Sequence, residues 1–257
     1  MQNGAMRLDV VDLRTFYASP LGMVTGRFLN RAVQARWGAC SGLAVMGIGY
    51  ALPYLAQFQN EAVRVIAFMP AEQGVVNWPT SGPSASALVE ATALPLPDSC
   101  IDRALVVHAL EVSEQGHDML AEIWRILTPG GRMILIAPNR GGLWSRVDAT
   151  PFGHGQPFSR GQLRELMRET MFSPIHWGEA LYGAPCQRRF ALRLAPVLER
   201  IGARLSLPGA GVLVVEATKQ LYRPLGGHRF ARRSLPLPAE PVLAPSGARV
   251  IPLEKQT

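Results

Sequence analysis

The sequence predicts an α/β fold in which helices cover both faces of a central sheet. Short apolar runs alternate along the chain with segments that carry apolar residues at helical spacing. The run at 132–138 has a continuous apolar centre, which is typical of a parallel strand buried on both faces. Apolar residues make up 48% of the 257 residues, enough to bury a core and to exclude a wholly disordered chain.

Each element follows from a local pattern. Strands are expected at about 43–46, 63–68, 87–90, 101–107, 132–138, 175–181 and 212–218. Two helical pieces are expected within 10–36, and further helices at about 51–58, 119–127, 159–171 and 188–201. Pro20 suits a first helical turn, and Ser159 with Gln162 three residues later is typical of a capping box. Because strands and helices alternate, the strands are expected to form one mostly parallel sheet.

Charge and proline content divide the chain into three parts. We expect an N-terminal helical segment (1–36), a main domain (37–218) and a basic, Pro-rich C-terminal tail (219–257). The net charge is +7, of which residues 188–257 contribute +8 and residues 1–187 contribute −1. A solvated tail is the favoured interpretation. Contact with an acidic partner or with nucleic acid is the alternative, and nucleic acid is the less favoured partner.

Several other classes of protein are disfavoured. The longest uncharged stretch, 37–60, could span a bilayer, but interruption by glycines and a proline favours a buried strand, a turn and a helix. No signal-peptide pattern stands at the N-terminus, and three widely spaced cysteines do not suggest a disulfide framework, so a cytoplasmic protein is expected. The five histidines and three cysteines lack metal-ligand spacing, so no metal site is expected.

Three motifs carry more information. The Gly47-Ile48-Gly49 turn follows the first strand directly, where backbone can approach a ligand, although a tight structural turn is the plainer interpretation. The second motif runs from Glu90-Ala91 through Leu-Pro-Leu-Pro-Asp to a late Asp102. The third is a Leu-Thr-Pro-Gly-Gly turn that precedes the strand at 132–138.

Together these motifs resemble the class I S-adenosylmethionine-dependent methyltransferases, in the small-molecule branch often called type 11. The resemblance covers about residues 40–140 and implies a Rossmann-like, seven-stranded fold whose last strand is antiparallel. It also implies S-adenosylmethionine as cofactor and a small-molecule methyl acceptor. By the same resemblance, Gly47, Gly49, Glu90 and Ala91 are expected to bind the cofactor, with Glu90 meeting the adenine amino group.

The resemblance is incomplete at two positions. The family has an acid two residues before the first glycine, where this chain has Val45, and an acid at the end of the second strand, a position assigned to Ala67. Glu72 is a candidate substitute for the second acid. Two interpretations therefore stay open: a working methyltransferase that holds its cofactor by other contacts, and a non-catalytic protein of the same fold that binds a partner protein.

Catalytic residues and partners are also expectations at this point. His108 and Glu111, after the fourth strand, are the candidate proton-transfer pair, against the alternatives of a structural histidine and a solvated acid. The loop at 139–158, rich in aromatic and charged residues, suits a lid, a partner surface or an ordinary connection. The resemblance further implies a glyoxalase II-type hydrolase as protein partner.

Overall fold

The computed structural model describes residues 9–205 and 209–222. Within them, seven strands form one sheet in the order β3-β2-β1-β4-β5-β7-β6. The strands are β1 (Ala44–Gly49), β2 (Arg64–Pro70), β3 (Ser86–Val89), β4 (Ile101–Val107), β5 (Leu127–Pro138), β6 (Phe172–Ala180) and β7 (Val212–Lys219). Neighbours from β3 to β5 pair in parallel, and β7 pairs antiparallel with both β5 and β6. The predicted fold class and the antiparallel last strand are confirmed.

Six helices flank the sheet in the described residues. They are α1 (Val10–Ala18), α2 (Pro20–Trp37), α3 (Leu52–Leu55), α4 (Gly116–Ile126), α5 (Arg160–Glu169) and α6 (Arg189–Leu205). Pro20 stands in the first turn of α2, and Ser159 and Gln162 form the predicted capping box at the start of α5. One apolar cluster joins α1, α2 and α3 to one face of the sheet, and a second joins α4 and α5 to the other.

The motifs shared with the family brace this framework. Both carboxylate oxygens of Asp102 are used, one accepting from the Ala44 backbone N–H and the other from the Thr128 hydroxyl. Glu122 on α4 accepts from the Leu94 N–H at 2.8 Å, which fixes the Leu-Pro-Leu-Pro loop against that helix. Leu127 pairs with Ile101, so the Thr-Pro-Gly-Gly segment falls within β5 and is not only a helix stop.

The division of the chain at 36 and at 218 stays a prediction, but two observations bear on it. Trp37 ends α2, and the whole helix contributes to the same apolar cluster as β1. Lys219, which the sequence pattern assigns to the tail, is the last residue of β7. It is 7% exposed, and its Nζ donates to the Leu127 carbonyl and lies 4.2 Å from the Trp124 ring centre. The rest of the predicted tail, from residue 223, lies outside the described residues.

The uncharged stretch 37–60 forms β1, α3 and the short turns around them. No helix in the described part of the chain has the length and apolar content needed to cross a membrane.

Candidate cofactor site

A pocket of about 250 Å³ opens at the carboxyl ends of β2 and β3, beside the segment that follows β4. We call it the strand-end pocket. It is lined by Pro70, Ala71, Glu72, Gln73, Glu90, Ala91, Thr92, Ala109, Val112, Ser113, Glu114, Gln115 and Met119. Ligands of open α/β sheets bind at this edge, beyond the carboxyl ends of the strands. The volume is just below the ~300–1,000 Å³ typical of small-molecule sites, so it suits part of a larger cofactor.

Two carboxylates reach this pocket from neighbouring strands. Glu72 follows β2 by two residues, and Glu90 follows β3 directly. Glu90 accepts a hydrogen bond from the Thr92 hydroxyl at 3.2 Å, and Ala91 beside it is 9% exposed. The structure therefore places the predicted cofactor residues Glu90 and Ala91 at the pocket, together with the candidate substitute acid Glu72.

The glycine turn is not part of the pocket lining. A Cβ added to Gly47 would lie 2.6 Å from the side chains of Ala51 and Leu55, so Gly47 allows α3 to pack against β1. Gly49 has a φ of +79°, and a Cβ there would lie 2.2 Å from the Val107 carbonyl oxygen. Both glycines are thus required by contacts within the protein, which supports the plainer interpretation of a tight turn.

His108 and Glu111 lie together, but both are buried. His108 is 1% exposed and Glu111 is 3% exposed, so Glu111 is not the solvated acid of the alternative interpretation. The His108 ring joins two partners, Glu111 Oε1 at 3.1 Å from Nδ1 and the Tyr17 hydroxyl at 2.8 Å from Nε2. The Tyr17 hydroxyl lies 2.7 Å from that of Tyr54. These four residues form a hydrogen-bonded chain that we call the Tyr-His-Glu cluster.

Hydrogen positions in the cluster follow from its chemistry. When Glu111 is a carboxylate it can only accept; in that state the ring hydrogen of His108 is on Nδ1, and Nε2 accepts from Tyr17. The Tyr17 oxygen then accepts from Tyr54. Burial raises the pKa of both tyrosine hydroxyls above their usual range, and the nearby Tyr54 raises the pKa of Tyr17 further. Both hydroxyls are therefore protonated donors at neutral pH.

Aromatic rings close the cluster on several sides. The Tyr50 ring stacks on that of Tyr17 with centroids 5.5 Å apart, and the Phe152 ring lies 4.7 Å from that of His108. His108 itself has a φ of +53°, a left-handed conformation that costs a non-glycine residue roughly 1–2 kcal/mol. Strain of this kind at a ligand-binding edge is typical of functional positions.

Helix α1 connects this cluster to the strand-end pocket. It supplies Tyr17, and its first N–H, from Val10, donates to the Gln73 carbonyl at 2.8 Å. The Gln73 side-chain amide in turn donates to the His108 carbonyl, and Gln73 also lines the pocket. Helix α1 therefore contacts both the strand-end pocket and the Tyr-His-Glu cluster.

The two departures from the family lie in the core. Val45 is fully buried in β1, and Ala67 is 1% exposed, three residues before the end of β2. An aspartate at either position in this structure would be a buried charge without a described partner. Of the two candidate positions for the second acid, Glu72 lines the strand-end pocket and Ala67 does not.

Sequence reasoning missed several residues of this region. Tyr17, Tyr54 and Gln73 belong to no recognisable sequence motif. Tyr50 was also missed, although its position directly after Gly49 is a signal that could have identified it. Phe152 and Trp144, in the loop after β5, are buried and belong to the same core cluster, so that loop is an ordered connection here. Asn139 is used structurally, donating to the Ala210 carbonyl at 2.8 Å.

The mostly parallel sheet, with a pocket beyond the carboxyl ends of its strands, places the chain among the Rossmann-like α/β domains. Comparison with known families makes the class specific. Residues 43–135 match the family described as a methyltransferase domain. Over these residues the match confirms the predicted resemblance to the class I methyltransferases. No curated protein sequence matches the chain significantly.

Solved structures share the fold at low identity. A SAM-dependent methyltransferase from Archaeoglobus fulgidus matches with a TM-score of 0.56 and 17% identity, covering 82% of this chain and 100% of that one. A Haloferax volcanii methyltransferase complex with the activator Trm112 gives 0.56 and 17%, covering 82% and 98%. The [4+2]-cyclase SpnF gives 0.54 and 18%, covering 78% and 83%. The family match supports S-adenosylmethionine as the cofactor.

Proposed function

We propose that this protein binds S-adenosylmethionine with the adenosine end in the strand-end pocket and transfers its methyl group to a small molecule. The observation that carries the proposal is the pair of carboxylates, Glu72 and Glu90, at the ends of adjacent strands. Carboxylates accept strong hydrogen bonds from ribose hydroxyls and from an adenine amino group. In this assignment Glu72 meets the ribose and Glu90 the adenine.

The cofactor, when bound, supplies an electrophilic methyl group on a sulfonium. The chain's own contribution is alignment and the exclusion of water, for which the aromatic rings around Tyr17 are suited. His108 can also hold a proton. With Nδ1–H donated to Glu111, Nε2 is the free base once Tyr17 withdraws, and it can take a proton from an acceptor hydroxyl or amine.

Activity in this proposal requires α1 to move. In the structure Tyr17 and Tyr50 occupy the space beside His108, at the ends of β1 and β4. The closed form therefore binds poorly, and the apparent affinity is reduced by the fraction of molecules that are open.

The occupation of the space beside His108 by Tyr17 and Tyr50 also favours a second candidate function. In this alternative the protein is a non-catalytic member of the fold that binds a partner protein. The Haloferax complex contains a methyltransferase bound to an activator protein, and SpnF is described as a [4+2]-cyclase. Low-identity structures of this fold thus include one with a protein partner and one named for a reaction other than methyl transfer. The glyoxalase II-type partner stays a prediction that no comparison supports.

Calorimetry with S-adenosylmethionine and S-adenosylhomocysteine separates the two candidates. We expect measurable binding to the unmodified protein, weakened about tenfold or more by Glu72→Gln and by Glu90→Gln, since a hydrogen bond to a charged group contributes ~1.5–3 kcal/mol. Glu61→Gln, an exposed acid just before β2, is the matched control and should leave binding unchanged. Absence of binding in both the unmodified protein and a Tyr17→Ala variant would favour the non-catalytic candidate.

A further inference from the structure

Helix α6 exposes a continuous row of large apolar side chains. They are Phe190, Leu194, Val197, Leu198, Ile201 and Leu205, and each is 40–75% exposed. Their spacing of three and four residues places them on one side of the helix. We call this row the α6 apolar stripe. Helix α6 has 17 residues and is about 25 Å long, so the stripe is a contiguous apolar patch. Singly exposed apolar residues are common on protein surfaces, but a contiguous patch of this length usually marks an interaction site.

The opposite side of α6 is attached to the domain. On the stripe itself, Phe190, Leu194 and Leu198 also border a groove between α6 and α2, and they remain 40–75% exposed. Glu199 accepts hydrogen bonds from the backbone N–H groups of Leu181 and Tyr182, both at 2.9 Å. Gly202 is buried against the Tyr182 ring, where a Cβ would lie 2.2 Å from the ring. These contacts fix the rotation of α6 about its axis and leave every member of the stripe at least 40% exposed.

A row of arginines runs beside the stripe. Arg189, Arg193, Arg200 and Arg204 are all exposed, and each directly precedes a member of the stripe. Neighbours in sequence lie about 100° apart around a helix, so the two rows are adjacent. The single acid of α6, Glu199, points inward to its two backbone donors. The outer surface of the helix is therefore apolar on one flank and purely cationic on the next.

We propose that α6 binds the surface of a bilayer containing anionic phospholipid, lying in the headgroup plane with its apolar stripe inserted. A helix with a long apolar row, a flanking arginine row and low overall hydrophobicity has the composition of interfacial helices. The arginines reach lipid phosphates from the side while the stripe leaves water. This inference is independent of the proposed methyl transfer.

Charge argues against two other occupants of the stripe. A second copy would bring another row of the same arginines to the contact. Residues 223–257 of the chain carry six basic and two acidic side chains, so they also have the same sign as α6. An anionic bilayer supplies both the opposite charge and an apolar phase of sufficient extent, whereas RNA supplies only the charge.

Vesicle sedimentation tests the proposal on the full-length chain. We expect binding to vesicles of phosphatidylcholine and phosphatidylglycerol at 7:3, and at least tenfold weaker binding to phosphatidylcholine alone. The double variant V197D/I201D should lose at least tenfold in partitioning, and neither residue borders the groove between α6 and α2. R193Q/R200Q should lose roughly tenfold or more at low salt, since each surface arginine contributes about fivefold. The substituted side chains are all exposed, so the melting temperature should stay unchanged.

Two exposed residues at the start of β2 provide matched controls. Val63 is 75% exposed and Arg64 is exposed, and V63D and R64Q should bind vesicles as the unmodified protein does. The proposal is overturned if the protein ignores anionic vesicles, or if the α6 variants bind them normally. It is also overturned if light scattering shows a dimer that the α6 variants dissociate without any change in vesicle binding, or if these variants abolish binding to polyuridylate and leave vesicle binding unchanged.

Discussion

The hydroxyl of Tyr17 lies 2.8 Å from Nε2 of His108, and this contact joins the first helix of the described chain to the carboxyl end of the fourth strand. The residues belong to elements separated by 91 positions in sequence. One hydrogen bond thus connects a candidate proton acceptor to the helix whose movement the proposed function requires. Releasing it would free the histidine nitrogen.

Tyr17→Phe tests this relationship with the ring retained. The change removes two buried hydrogen bonds of the Tyr17 hydroxyl, to His108 and to Tyr54, at about 0.5–1.5 kcal/mol each, which makes opening of α1 easier. We expect the affinity for S-adenosylmethionine to rise by up to about a hundredfold, measured by calorimetry. Tyr222→Phe, in which the altered residue is 84% exposed, is the control and should not change affinity. Unchanged or weaker binding of Tyr17→Phe would show that α1 does not oppose the cofactor.

Gly49→Ala and Gly42→Ala form a matched pair of stability predictions. Both glycines have similar positive φ angles, +79° and +77°, so both substitutions cost about 1 kcal/mol in backbone strain. Only at Gly49 would the new Cβ meet a backbone atom, 2.2 Å from the Val107 oxygen; at Gly42 nothing lies within 4 Å. We expect Gly49→Ala to lose several kcal/mol more in urea unfolding. Equal losses would mean that β1 and β4 can separate freely at this edge.

Ala67→Asp restores an acid at the position first assigned to ribose binding. Because residue 67 is 1% exposed in the middle of β2, we expect loss of stability by several kcal/mol or failure to fold, with no gain in cofactor affinity. Thermal unfolding and calorimetry would check both parts. Ala87→Asp, on the exposed part of β3 opposite Phe68, is a control for an acid in a neighbouring strand. A stable Ala67→Asp variant that binds S-adenosylmethionine more tightly would show that residue 67, and not Glu72, is the ribose-binding position.

Alkaline pH should destabilise the fold through the two buried tyrosines. Burial raises the folded-state pKa of Tyr17 and Tyr54 above the unfolded value near 10. The unfolded chain then releases protons that the folded chain keeps, so stability is constant below about pH 10 and falls as pH rises further. We expect about 1.4 kcal/mol per pH unit for each tyrosine. Urea unfolding at pH 8 and pH 11 measures this decrease in the free energy of unfolding. Tyr17→Phe should show a smaller decrease than the unmodified protein. An equal decrease in the two proteins would mean that groups other than Tyr17 cause the pH dependence.

The sheet could be predicted from sequence because its signals are local. Apolar runs such as the one at 132–138 need no long-range information, and all seven strands were confirmed within a few residues. The boundary errors have a tertiary cause. For example, β5 begins at Leu127 because that residue pairs with Ile101 across the sheet.

The candidate site was only partly predictable, for a different reason. Glu90 and Ala91 belong to a motif with fixed spacing and do line the strand-end pocket. Tyr17 and Gln73 act through contacts with His108, 91 and 35 positions away, and no local pattern encodes such pairings. Counting back from Pro70 assigns the family's acid position to Ala67, whereas pairing with Gly47 and Ser86 places that residue well inside the sheet.

The antiparallel course of β7 determines where the two ends of the described chain emerge. Lys219 ends β7 beside Phe172, at the edge where the parallel strands begin, and the Gln220 N–H donates to the Met171 carbonyl there. Asp9, by contrast, immediately precedes α1 and lies next to Gln73 at the ligand edge. Across the sheet these edges are about 20 Å apart, the length of a six-residue strand. Purification tags or fluorophores joined ahead of residue 9 are therefore expected to disturb ligand measurements, so a label attached after residue 220 is the better choice.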